Sequence, residues 1–386
     1  MLKTTWLIFR RFLVAAVLCL LLSRCGTRAD PPPEIRIGVI ASLSGPAAEN
    51  SGRATTEAAN LAVQQVNAEG GLLVGDVRYQ VRLIFGDDEN NAQTAVDVAR
   101  RLIFQERVVA LVGPQFSSNA IPVASVAEEA RLPMISPIST NPQTTAGKQY
   151  VFRVGFVDEV QGQVMAQFAR DEFAATTAAV LYDIASDYNR GMAETFQRQF
   201  TANGGRIVAF EAYTSGATDF RPALQRIAAS NPDVLFLPNY SADSIAQANQ
   251  AREGGMTVPL LGSDGWTATS VAPVPAFEGA FFTQHWHPAV ENPASAAFLR
   301  DYTAAYAHEP LVTAALTYDA FSLLFAAMER EGSVTPEAIE RGLASTADFA
   351  GVSGRIGYAG TGDPIKDVVI VEIKAGQALY YSVVQP

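Results

Sequence analysis

Ile35-Arg36-Ile37-Gly38-Val39-Ile40-Ala41 and Val108-Val109-Ala110-Leu111-Val112 are apolar runs with almost no polar alternation. A strand that faces water on one side alternates, whereas one covered on both faces, as in a parallel sheet between helices, does not. Runs of the same kind recur at Val81–Phe85, Met134–Ile138, Ala179–Tyr182, Ile207–Tyr213, Val234–Leu237, Leu260–Leu261, Ala280–Thr283 and Val368–Ile373. Helical spacing fills the intervals at about Ser51–Ala68, Ala92–Gln105, Ala120–Ala130, Glu159–Glu172, Arg190–Ala202, Phe220–Ala229, Ser241–Arg252, Ala294–Ala307 and Ala314–Arg330. Three of these helices stop alike, at Glu69-Gly70-Gly71, Asn203-Gly204-Gly205 and Glu253-Gly254-Gly255. Glycine just past a helix takes the left-handed conformation cheaply and lets the last carbonyls find partners. The alternation predicts a doubly wound α/β fold. About four strands before Val151 and about five from Ala179 predict two such lobes instead of one oversized sheet.

Charge and the N-terminus narrow the class. Lys and Arg total 28 against 39 Asp and Glu, and Met1–Cys25 holds Lys3, Arg10, Arg11 and Arg24 but no acid. A body that acidic has no general attraction for nucleic acid or anionic lipid. Residues 1–25 read as an export signal, with a basic head and the apolar run Phe12–Leu22, too short to span a bilayer; no later stretch is read as a span. Pro31-Pro32-Pro33 then makes a tether over 26–34. Leu22-Ser23-Arg24-Cys25-Gly26 resembles a lipobox, with Arg24 where a small residue is expected, so Cys25 is either the lipidated first residue or close to a simple cleavage site. With Cys19 and Cys25 both in the leader, the exported body has no disulfide.

The catalytic inventory is thin. No thiol remains, only three histidines are present, and there is no phosphate loop, dinucleotide fingerprint or nucleophile elbow. His285-Trp286-His287 lacks an evident third ligand for a metal, and Asp87-Asp88-Glu89 reads as a solvated acidic loop. No cofactor, no metal and no enzymatic activity are expected. Binding chemistry is better represented. Ligands of open α/β sheets sit beyond the carboxyl ends of strands, where helix N-termini offer free N–H groups. Gly113-Pro114-Gln115-Phe116-Ser117 and Ile138-Ser139-Thr140-Asn141-Pro142 stand at two such junctions and offer hydroxyls to a small carboxylate, although the same residues serve elsewhere as plain helix caps. In the second half, Tyr188, Tyr240 and Asp264 follow strands and could clamp a cation by ion pairing and π attraction, or be loop aromatics and a turn.

Ile35–Gly45, Val66–Gly71, Ile135–Pro142 and Phe152-Arg153 together resemble, in sequence and order, the branched-chain amino acid type of periplasmic binding protein, from about Ile35 to the C-terminus. The resemblance implies two Rossmann-like lobes joined by three crossovers, 35–155 plus about 285–345 and 156–284 plus about 346–386, closing on a ligand that is passed to an ABC importer. It implies that Ser117, Ser139, Thr140 and the backbone of Ile138 hold the ligand carboxylate, and that Tyr188, Tyr240 and Asp264 surround its ammonium. Asn50, Gln115, Phe116 and Trp266 are candidates for the side-chain pocket. Two departures matter. Asn90 and Phe116 replace a first-lobe disulfide seen in many relatives, and polar Gln115 and Asn50 weigh against a purely aliphatic ligand. The expected protein is an exported, monomeric solute-binding protein of the periplasm or the outer face of the cytoplasmic membrane, lipid-anchored if Cys25 is lipidated, with ABC permease subunits as partners. The competing expectations are a sensor or activator of an envelope enzyme on the same fold, or a carrier of an amide or aromatic acid.

Overall fold

A computed structural model of the chain describes residues 32–385; the export leader, Cys25 and most of the proline tether lie outside the described residues. The first sheet has the order β2-β3-β1-β4-β5-β6, from β1 (Glu34–Ala41), β2 (Leu72–Val74), β3 (Val77–Asp87), β4 (Ala110–Val112), β5 (Met134–Ser136) and β6 (Val151–Arg153). The second has the order β16-β15-β11-β10-β9-β7-β8, from β7 (Thr177–Asp183), β8 (Arg206–Tyr213), β9 (Val234–Leu237), β10 (Leu260–Gly262), β11 (Phe281–Gln284), β15 (Val368–Lys374) and β16 (Gln377–Val384). A small third sheet joins β12 (Phe349–Gly351), β13 (Gly354–Tyr358) and β14 (Pro364–Ile365). The helices are α1 (Arg53–Ala68), α2 (Ala92–Arg100), α3 (Ser117–Glu129), α4 (Asp158–Phe173), α5 (Asp187–Ala202), α6 (Arg221–Ala229), α7 (Ser241–Glu253), α8 (Ala268–Val271), α9 (Pro293–Tyr306), α10 (Val312–Glu331) and α11 (Pro336–Ala344).

The two-lobed α/β expectation holds, and the unbroken apolar runs explain it. Successive strand residues point to opposite faces. Ile37 and Val39 enter one core with Ala58, Leu316 and Phe321, while Ile40 enters another with Ala99, Val123 and Met134. In the second sheet Leu235 and Leu237 pack with Phe277 and Phe282, and Val234 and Phe236 pack with Phe196 and Ile370. Each sheet therefore buries both faces, at about 1.5–3 kcal/mol for each fully buried large side chain. α10 is long and apolar enough, by length and composition, to cross a membrane, and is instead a core helix whose Leu316, Ala320, Phe321 and Leu324 are fully buried.

Three features differ from the sequence expectation. β2–β3, β11–β15 and β15–β16 pair antiparallel. β2 and β6 are only three residues long, and β16 is a half-exposed edge strand, so none carries the buried-run signature. The domain boundary near 346 also moves. Val352, Ile356 and Tyr358 join the first core, and the Tyr358 hydroxyl donates to Arg153 O at 2.9 Å, so the chain returns to the second sheet at Lys366–Val368. Lys366 is buried there beside Val154 O and Ser353, and burial pulls its ammonium down to about 8. Finally, Asp88 is not a solvated loop acid. It is fully buried and accepts from Ser42, the Asn90 amide and Asn119, tying the loops that follow β1 and β3 to the first turn of α3.

Candidate functional site

The first-sheet half of the site begins where β4 hands over to α3. Ser117 is the first residue of that helix, three residues earlier than the sequence spacing suggests, so Pro122 falls inside the helix instead of in its first turn. The N–H groups of a first turn have no partner within the helix, and Phe116, at the capping position, supplies no side-chain acceptor for them. The Ser117 hydroxyl lies 2.9 Å from that of Ser139, which lies 2.8 Å from that of Thr144. The second junction is not a full helix start: Asn141 caps a single 3-10 turn, Pro142–Thr144, so the dipole argument holds at α3 alone.

What positions Ser139-Thr140-Asn141 is a buried arginine that sequence reasoning passed over. Arg153, on β6, donates to Ser139 O at 2.7 Å, to Asn141 O at 2.9 Å and to the Thr145 hydroxyl at 2.7 Å. Its Nε sits 2.7 Å from Asp363 as an ion pair, off the angle of a hydrogen bond. Burial pulls the guanidinium downward in pKa, and Asp363 holds it up. With that loop fixed, the Thr140 hydroxyl is fully buried and makes no hydrogen bond among the described residues.

The second-sheet half is centred on Asp264, in the loop after β10. Its Oδ1 accepts from the Tyr188 hydroxyl at 2.6 Å and from Gln161 Nε2 at 2.9 Å, and its Oδ2 faces His285 Nε2 at 2.9 Å. A carboxylate has about four acceptor positions, so Oδ2 keeps one. Tyr188 also contacts the Ser263 hydroxyl at 2.7 Å and accepts from the Gly265 amide at 2.9 Å; burial first, then Asp264, drives its phenol well above its ordinary value, keeping it a neutral donor. The Tyr188 and Tyr240 rings stack at 5.1 Å. Gln161 was missed because it reads as one more polar position of an amphipathic helix, and His285 was weighed only with His287 as an incomplete metal site.

The two halves meet. Phe116 presents an edge to Tyr240 at 5.3 Å, and Asn141 Nδ2 donates to Asp187 O at 3.0 Å. Ser117, Ser139, Thr140 and Phe116 thus come from one side of a seam, and Tyr188, Tyr240 and Asp264 from the other. Gln115 is buried behind this line, donating to the Thr55 hydroxyl at 2.9 Å, with Oε1 unpartnered among the described residues. Ile138, on the same loop, is half-buried, and Asn50 is exposed. Trp266 is a correction: its ring is fully buried against Gly262, Phe277 and Phe282, and its indole N–H donates to Leu237 O and Ser244, so it is core and not pocket lining.

His285 makes the site acid-sensitive. Its side chain is fully buried, burial lowers its pKa, and Asp264 opposes this without reversing it. The imidazole is therefore neutral when folded and donates from Nε2, leaving Nδ1 without a partner among the described residues. A histidine that charges more readily in the unfolded chain stabilises the fold fully above about pH 6.5 and less as pH falls below it. Relative to His285→Gln, which can still donate to Asp264, the wild type should lose stability on acidification from about pH 6.5 to 5, by up to about 1.4 kcal/mol per pH unit. Melting curves of the two proteins across that range check it; parallel curves would refute a buried neutral imidazole.

Comparison with known proteins points the same way. The family model described as periplasmic binding protein matches residues 34–378. A leucine binding protein from Thermotoga maritima superposes with a TM-score of 0.84 at 34% identity, over 91% of this chain and 99% of that one. The branched-chain amino acid transporter substrate binding protein of Streptococcus pneumoniae, solved in complex with isoleucine, gives 0.83 at 30% identity, over 92% and 100%. An amino acid binding protein of Pseudomonas aeruginosa is 31% identical over 240 residues, 62% of this chain; the match spans 63% of that relative's length.

Proposed function

The chain belongs to the periplasmic binding protein family, and we propose that it is an extracytoplasmic solute-binding protein that closes over an α-amino acid and delivers it to an ABC importer. One observation carries this reading: a hydroxyl-rich helix start with the free Thr140 hydroxyl faces, across a single seam, a carboxylate with an acceptor position to spare. The first group suits a carboxylate and the second an ammonium, which together define the α-amino-acid head. Since each half belongs to a different sheet, neither completes the site alone, and ligand binding favours approach of the lobes. The site offers recognition without a nucleophile and base in contact, so the ligand leaves unchanged; recovery of an altered ligand after incubation with pure protein would contradict this.

A second reading draws on the stacked Tyr188 and Tyr240 rings with Phe116 edge-on to Tyr240, and on Gln115 Oε1, unpartnered among the described residues, which suit a hydroxylated aromatic acid. There Asp264 would answer a phenol. A thermal-shift panel of amino acids, amides and aromatic acids separates the two, with about 2.7 kcal/mol of stabilisation expected at a hundredfold excess over Kd. For a ligand so found, solution scattering should give a smaller radius of gyration at saturation. An unchanged radius would remove hinge closure, and a panel in which only amine-free acids bind would remove the amino-acid reading.

A further inference from the structure

The chain passes between its lobes at three places, and each passage turns on one residue. Val154 packs in the first-lobe core and Phe156 in a second-lobe core, with Gly155 between them. β11 ends at Gln284 and Trp286 enters the first-lobe core, with His285 between them. Lys366 is held on the first lobe by Ser353 and Val154 O, and β15 starts at Val368, with Asp367 between them. His285 leans on the first passage: a Cβ on Gly155 would lie 2.9 Å from its Cε1, and its ring lies over that of Phe156 with centroids 3.8 Å apart. From this pivot its Nε2 reaches Asp264 Oδ2 at 2.9 Å. Its Nδ1 is buried without a partner among the described residues. With the lobes together the ring therefore has a place for one proton only, because a second N–H, on Nδ1, would be buried without an acceptor.

We propose that His285 is a proton-gated latch of the hinge: neutral, it lets the lobes close on an amino acid, and protonated, it holds them apart and releases the ligand. The inference rests on the amino-acid reading above and adds the regulation of that same site by acid. Two effects act in one direction. Opening gives a protonated Nδ1 access to water, so proton uptake favours the open hinge. An imidazolium also pairs with Asp264, the carboxylate assigned to the ligand's ammonium, so two cations compete for one acid. Each release takes one proton from solvent, and no bond of the ligand changes. Burial holds the imidazole below its ordinary value; Asp264 opposes this, while Lys366 and Arg153 add to it. The other groups facing this corner are Asp158 on α4, which burial pushes up to about 7, the Tyr188 phenol, which burial and then Asp264 keep neutral, and Asp319 and Asp367, which hold up Lys366. The closed, bound state thus keeps His285 at a lower pKa than the open, free state. Affinity is therefore full above about pH 6.5 and falls as pH drops through the open-state midpoint, by up to about tenfold per unit.

L-leucine, whose own charges stay fixed between about pH 8 and 5, is titrated calorimetrically over that range into the wild type and into His285→Gln. The glutamine amide still has a donor for Asp264 and takes up no proton. Asp158 and Asp264 are common to both proteins, so the ratio of the two affinities reports His285 alone. That ratio should shift against the wild type by about tenfold or more between about pH 7 and 5. A constant ratio overturns the latch and leaves the amino-acid reading standing. At about pH 5 the ligand-free wild type should also scatter with a larger radius of gyration than ligand-free His285→Gln; equal radii overturn the opening step on which the latch depends. One measurement needs no variant to fold. The chain has only three histidines, so their ring carbon-13 signals can be followed singly, and the His285 midpoint should fall by about one unit or more when leucine saturates the protein. A midpoint equal with and without leucine refutes the proposal. Failure of leucine and of every other common amino acid to bind overturns both readings together.

Discussion

Asp264→Asn is expected to weaken binding of an amino acid by about 30- to 4,000-fold, roughly 2–5 kcal/mol, the range for losing one partner of a desolvated charge pair. The geometry makes the substitution clean. An asparagine can keep its oxygen toward Tyr188 and Gln161 and turn its amide toward His285, whose neutral ring can accept through Nε2 by moving its proton to the unpartnered Nδ1. Shape is preserved and one negative charge is lost. Stability should also fall, by about 1–3 kcal/mol, because Tyr188 and Gln161 now donate to a neutral amide oxygen and His285 must change tautomer to accept. The sequence alone places Asp264 at a loop end that supports little, and these contacts say otherwise. The competing account, in which Ser263-Asp264-Gly265 is only a turn, predicts the stability loss with affinity unchanged. Calorimetric titration and melting of the one variant separate them: equal affinity for a ligand with a free ammonium discards the assigned role.

How much of this was legible beforehand follows from what leaves a trace in one dimension. Long buried strands write themselves as unbroken apolar runs, and glycine pairs mark where helices stop; Gly70, Gly204 and Gly255 do adopt positive φ. The Ser117, Ser139–Thr140, Tyr188, Tyr240 and Asp264 positions were visible because each stands at the end of a recognisable strand, in the order that the resemblance implies. What failed to show was set by contacts distant in sequence. Trp266 looked available beside Asp264, but Gly262 opens a hollow in the sheet that the indole fills, with ring atoms 2.4 Å from where a Cβ would stand. Arg153 is a single polar residue in an apolar stretch, Gln161 is one polar position of a helix among several, and His285 was weighed only as half of a histidine pair, so no local pattern marks them as site residues. Their partners lie as far as 210 residues away, as Arg153 and Asp363 do. The boundary near 346 failed for a related reason: β12, β13 and β14 are short, and only the packing of Tyr358 on Phe152, at 5.2 Å between ring centroids, assigns them to the first lobe.

The largest effect on the fold should come from Arg153→Met. The side chain is fully buried and is the common donor for Ser139 O, Asn141 O and the Thr145 hydroxyl, besides pairing with Asp363. Methionine restores much of the volume and none of the donors. Two carbonyls, one hydroxyl and a carboxylate about one-third exposed are then left to find water or go without. Removing one partner from a buried pair costs about 3–5 kcal/mol, which at roughly 2–3 °C per kcal/mol lowers the melting midpoint by about 6–15 °C. Arg153→Lys should recover only part, since an ammonium on a flexible stem cannot serve three acceptors that a planar fork meets at once. The two variants also report on function. Ser139-Thr140-Asn141 owes its position to this side chain, so the folded fraction of Arg153→Lys should bind ligand at least tenfold more weakly although residue 153 touches no ligand. Full affinity in a destabilised Arg153→Lys would mean that the loop holds its shape unaided and that Arg153 serves the core alone. A midpoint unchanged in Arg153→Met would mean that water replaces the guanidinium at no cost, which four buried or half-buried acceptors make hard to satisfy.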